Sequence, residues 1–87
     1  MLEIQKNNIL INALTYKQVF EYIKHKSLES RQHFLNIIKD ININKYDNIL
    51  ILLYKDSSIF KTKLEYIQLM QNNQLKSYYM QDCIKYL

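Results

Sequence analysis

The sequence predicts an all-α fold: a compact bundle of four to six short helices around a buried central helix at about 46–55. Three observations carry that expectation. The 87 residues include no Gly and no Pro, whereas the tight hairpins of a small sheet protein want Gly or Asn at positive φ. Apolar side chains recur at i, i+3, i+4 and i+7 in one segment after another, the period of a helix face. Between Tyr46 and Tyr54 lies Ile49-Leu50-Ile51-Leu52-Leu53, an aliphatic run with no polar side, too short to span a bilayer and therefore core. A fully apolar run has no periodicity of its own, so the alternative is a small α/β fold with 49–54 as a buried strand.

Residues 1–87 are expected to form a single helical domain, since a chain of this length makes one domain at most. A helix is expected over residues 2–13, where Leu2, Ile9 and Ala13 share a face, although Ile9-Leu10-Ile11 also fits a short strand. The next segment has the strongest local signal. Thr15 and Gln18 have the spacing of a capping box, and Leu14 and Val19 that of a hydrophobic staple. Tyr16, Val19, Phe20 and Ile23 then form one apolar face of a helix over 15–26.

Ser27 or Ser30 caps a helix running to about Asp40, with Phe34, Ile37, Ile38 and Ile41 on its buried side. Asn42 or Asn44 ends it, because Asn tolerates the left-handed conformation. The central helix follows, with Asn44 or Asp47 as N-cap and Tyr46, Ile49, Leu50 and Leu53 in register. Asp56-Ser57-Ser58 caps a helix over 58–72 that buries Phe60, Leu64, Ile67 and either Met70 or Gln71. Asn72-Asn73 stops it. A last helix over 74–86 places Met80, Cys83, Ile84 and Leu87 on one face, with Leu75 and Tyr79 beside it.

Ile, Asn, Lys and Tyr make up nearly half the chain, and Lys outnumbers Arg eleven to one. All four residues use AT-rich codons, so neither Lys nor Asn counts as a nucleic-acid signal by abundance. The texture suits a phage- or plasmid-encoded regulator or inhibitor. A formal charge of +4 favours anionic surfaces mildly. One cysteine, Cys83, forms no internal disulfide, and Met1–Asn8 lack a basic leader followed by an apolar core; a cytoplasmic protein with no membrane segment is expected.

Chemistry-bearing motifs are sparse. The carboxylates form no paired motif, no glycine-rich loop cradles a phosphate, and a non-enzymatic protein without cofactor is expected. His25, His33 and Cys83 are the soft ligands, too few and too scattered for a closed zinc site. Cys83 on an apolar face reads as a buried structural thiol. Eight tyrosines are many for this length. A short terminal helix cannot bury Tyr78, Tyr79 and Tyr86 together, and Tyr supplies apolar area and a hydroxyl at low entropy cost. These three residues are the candidate contacts for a protein partner or for a homodimer.

The alternative is a helix-turn-helix made of 15–26 and 30–41. Arg31, Gln32, His33 and Asn36 would then read base edges, while Lys24 and Lys26, with Lys17 and Lys39, neutralise phosphates. Against it, the turn lacks a Gly and Glu29 stands where phosphates would pass. Lys55, Lys61 and Lys63 form a second basic cluster beside Tyr54, Phe60 and Tyr66, and read as a solvated face.

Far-UV circular dichroism separates the two folds. The bundle predicts the double minimum of helix without a strand component, and a substantial strand signal would put the α/β alternative in its place.

Overall fold

In the computed structural model, residues 13–86 are described, and they fold into five helices: α1 Tyr16–Ile23, α2 Leu28–Ile41, α3 Ile43–Asp56, α4 Phe60–Leu69 and α5 Asn73–Ile84. Among them no strand is present, so the run at 49–54 is helical and the all-α expectation holds. The proposed helix over 2–13 lies outside the described residues except at its last position. None of the five helices is long and apolar enough to cross a membrane.

The helix starts follow local chemistry. Thr15 Oγ1 accepts the Gln18 amide at 3.2 Å while Gln18 Oε1 accepts the Thr15 amide at 2.9 Å, the reciprocal pair the sequence announces. Leu14 is half-buried against the core, as a staple residue should be. Ser27, rather than Ser30, caps α2. As a result Leu28 and Glu29 are already helical, and the α1–α2 joint occupies 24–27.

Several boundaries differ from the sequence reading. Asn42 ends α2 and begins α3: its amide reaches Ile38 O at 2.9 Å and its Oδ1 accepts the Lys45 amide at 3.1 Å. It does so from an extended backbone, φ −155°, and no described residue has positive φ. The left-handed stop is thus replaced by one extended residue shared between two helices, and Asn44 and Asp47 are not caps. Asp56 closes α3, so the expected cap for the next helix is already used. α4 starts at Phe60 behind Ile59 with no side-chain cap bond. Nor does it run to 72: Met70 ends it, and Asn72 instead caps α5 by accepting the Gln74 and Leu75 amides.

α3 packs against α1, α2 and α4, and α5 packs on α4. Tyr46, Ile49, Leu50, Leu53 and Tyr54 of α3 are almost fully buried and meet Val19, Phe20 and Ile23 from α1, Leu35 and Ile38 from α2, and Tyr66 and Ile67 from α4. Each such side chain contributes about 1.5–3 kcal/mol of burial. The outer helices cover α3 on most sides, which makes it the central helix expected from the sequence. Ile84, expected on the buried face of α5, is 55% exposed: α5 meets the bundle along Leu75, Tyr79, Met80 and Cys83.

Among the described residues Asp47 is the one carboxylate in the core, 4% exposed. Its Oδ1 accepts the Gln71 amide at 2.8 Å and its Oδ2 the Asn72 amide at 2.9 Å. It therefore fixes the α4–α5 connection to α3 and satisfies two backbone donors that neither helix serves.

Asp47→Ala leaves both amides without that acceptor and is expected to lower stability by about 2–4 kcal/mol. Asp47→Asn keeps one acceptor oxygen and is expected to lose roughly half as much, measured by urea unfolding monitored by circular dichroism.

Candidate functional site

The C-terminal ends of α3 and α5 converge with the middle of α4 on a cluster built from Tyr54, Lys63, Tyr79, Asp82 and Tyr86. Its centre is Lys63, which is 5% exposed, so of the solvated basic face expected of Lys55, Lys61 and Lys63 only Lys55 and Lys61 remain in solvent. The reason lies in the end of α3. The Tyr54 carbonyl belongs to the last turn, where no further amide of the helix follows, and Lys63 Nζ donates to it at 2.9 Å. A cation at a helix C-terminus is also favoured by the macrodipole. The ammonium lies 4.4 Å from the Tyr54 ring centroid and 4.7 Å from that of Tyr86, so two π-faces replace much of the water it has left.

Tyr54 points its hydroxyl out of the core and donates to Asp82 Oδ2 at 2.6 Å. Burial, and then this bond to the Asp82 carboxylate, pushes the Tyr54 hydroxyl pKa far above the usual tyrosine range. The same bond holds Asp82 below the ordinary carboxylate value of 3.8, with Lys85 and Lys63 adding to it and burial opposing. Lys85 Nζ reaches the other Asp82 oxygen at 3.7 Å from an exposed position. Tyr46 is also raised, by burial and then by the neighbouring Asp47.

The three predicted partner-binding tyrosines extend outward from this base. Tyr79 is half-buried, edge-on to Tyr54 with centroids 5.4 Å apart. Tyr78 packs edge-on to Tyr79 at 4.9 Å and is 64% exposed. Tyr86, in the turn beyond α5, is 58% exposed even as its ring covers Lys63. Ile84 is exposed on another side of the same helix. Cys83 is a buried free thiol, as its face implied.

The residues of the helix-turn-helix alternative are arranged differently. Arg31 is half-buried and its guanidinium is engaged within the protein: Nε donates to Lys26 O at 3.1 Å, Nη2 to Lys24 O, and Nη1 to the Tyr66 hydroxyl at 3.3 Å. It thereby ties the α1–α2 joint to α4. Gln32 Nε2 donates to Asn36 Oδ1 at 3.1 Å on the open face of α2. His33 is exposed and edge-on to Phe34. Lys24 pairs with Glu21 at 2.9 Å, and Lys26 lies 4.6 Å over the Tyr22 ring.

Beside Arg31, a cleft of about 120 Å³ opens between α2 and α4, lined by Leu28, Leu35, Tyr66 and Leu69. That is below the roughly 300 Å³ at which small-molecule sites begin. Among the described residues no three His, Cys, Asp or Glu side chains gather as a metal site.

Sequence reasoning found the exposed tyrosines but missed Lys63 and the Tyr54–Asp82 bond. Lys63 and Asp82 belong to helices whose mutual placement no local pattern encodes. Comparison with protein-family models, with curated proteins and with solved structures finds no match.

The Tyr54–Asp82 pair shapes stability at both ends of the pH scale. Asp82, with its folded value depressed, stabilises the fold above the unfolded carboxylate value of 3.8, and this is lost as pH falls through the folded value. Tyr54, with its folded value raised, stabilises below the unfolded value of 10.0, and this is lost as pH rises through the folded one. Tyr54→Phe is expected to flatten the acid limb of a melting-temperature profile and to reduce the alkaline limb, to which Tyr46 also contributes. An unchanged profile would mean that the bond does not persist in solution.

Proposed function

We propose that this is a small non-enzymatic binding protein that engages a protein partner through the surface formed by Tyr78, Tyr79 and Tyr86, edged by Lys85. One observation carries the reading. Tyr78 and Tyr86 each leave more than half of their surface open, yet each rests on a fixed neighbour, Tyr78 on Tyr79 and Tyr86 on the Lys63 ammonium. Tyr79 in turn rests on the buried Tyr54. Exposed aromatic rings held by a base of this kind offer contact area with little rotamer entropy left to lose, the property that makes Tyr frequent at interfaces. A regulatory or inhibitory role in the cytoplasm, from a phage or plasmid gene, is the setting that the size and AT-rich texture favour.

The helix-turn-helix reading is the weaker of the two. Gln32, His33 and Asn36 are open on α2, but the Arg31 fork would have to release two carbonyls and a hydroxyl before it could reach a guanine edge.

Affinity capture from the native host, with nuclease treatment, tests the choice. The wild-type chain is expected to retain a protein, and Tyr78→Ala to weaken that retention about tenfold while circular dichroism and melting temperature stay unchanged. Capture insensitive to Tyr78→Ala and Tyr86→Ala alike would sink the proposal. Duplex DNA bound at about 50 mM salt, and released by a Gln32→Ala, Asn36→Ala double substitution, would establish the alternative instead.

A further inference from the structure

The outward residues of α5 are Asn73, Gln74, Ser77, Tyr78, Gln81 and Ile84. None is charged. Each of the other four helices exposes at least one charge on its open side: Lys17 and Glu21 on α1, Glu29, Lys39 and Asp40 on α2, Lys55 and Asp56 on α3, Lys61 and Glu65 on α4. The charged residues of α5 itself, Lys76 and Asp82, are half-buried on its flanks, and Asp82 is committed to Tyr54 and Lys85. Lys85, one residue past the helix, forms a charged rim. An uncharged face bearing one aromatic and one aliphatic side chain, bounded by polar groups, has the composition of an interface core.

We propose that the occupant of this face is a second copy of the chain, with the two α5 helices packed antiparallel about a two-fold axis passing between Ser77 and Gln81. The inference rests on the reading of the α5 surface as protein-binding, and charge decides the partner. Each copy carries +4, so two copies repel wherever their lysines face each other and approach most easily through a face without charge. An acidic partner would gain nothing from that face and would be drawn to the lysines elsewhere. The Asn, Gln and Ser side chains both donate and accept, which makes the face complementary to its own two-fold image. The 12 residues of α5 span about 18 Å. One helix pair of that length buries less than the roughly 1,000 Å² of a stable interface, so the dimer is weak and depends on concentration.

Sedimentation equilibrium of the full chain from about 10 µM to about 1 mM covers the range of weak specific contacts. A reversible monomer–dimer equilibrium is expected. Gln81→Glu and Ser77→Lys, each at an exposed position, are expected to weaken it at least tenfold alone and to recover association when mixed, because residue 81 of one copy meets residue 77 of the other across the axis. Gln81→Lys and Ser77→Glu provide a second pair should the first disturb folding by circular dichroism. A chain that stays monomeric throughout, a dimer indifferent to both pairs, or a mixture that fails to recover association overturns the inference. Capture of another protein through Tyr78 by a chain that stays monomeric would remove the self-association alone and leave the binding function standing. Self-association that passes both tests, with no other partner captured, would identify the second copy as the partner.

Discussion

A helix enclosed by its neighbours must find its polar partners inside the protein, and α3 is such a helix. Five of its apolar side chains sit within the core, so each polar group carried among them faces a desolvation cost of about 1–3 kcal/mol unless it is bonded. Much of the rest of the fold answers that constraint. Asp47 takes the two amides of the α4–α5 connection, and the Tyr54 hydroxyl takes Asp82 from α5. The Tyr54 carbonyl takes Lys63 from α4. Each bond that satisfies α3 also fixes the position of another element, and among the described residues no buried side-chain nitrogen or oxygen is left without a partner.

That arrangement explains how a small chain holds its C-terminal helix and tyrosines in place. α5 touches the bundle along a narrow line of Leu75, Tyr79, Met80 and Cys83, too little apolar area to hold a helix firmly by itself. The Asp47 clamp at its start and the Asp82–Tyr54 bond near its end supply the remaining restraint. Tyr78 and Tyr86 extend from a helix fixed at both ends, and this orders the rings in advance of any partner. Arg31 performs the corresponding task for the α1–α2 joint, and the contacts that stabilise the joint engage its guanidinium within the protein.

The helices were legible where capping and periodicity agree within one segment. The Thr15–Gln18 box and the Tyr16, Val19, Phe20, Ile23 stripe locate α1 almost unaided, and the lack of Gly excludes the hairpins a strand at 49–54 would need. Boundaries were harder where several residues compete for one role. Asn42, Asn44 and Asp47 are all acceptable caps, and the choice of Asn42 follows from where the α2 stripe ends at Ile41. Asp47 carried a readable hint, since a carboxylate beside Tyr46 in a helix apolar on most sides must be buried and bonded, though nothing local names its partner.

By itself, the sequence determined that the chain is helical, that 46–55 lies at its centre and that the terminal tyrosines outnumber the places available to bury them. These properties depend on neighbours within a few residues, where side-chain period and caps act directly. Only the tertiary structure decided that Lys63 is enclosed between two rings, that Arg31 is a structural tie, and that Ile84 joins an uncharged outward face. Those outcomes depend on the angle and height at which one helix meets another, set by the packing of whole faces and by bonds between residues up to 35 positions apart.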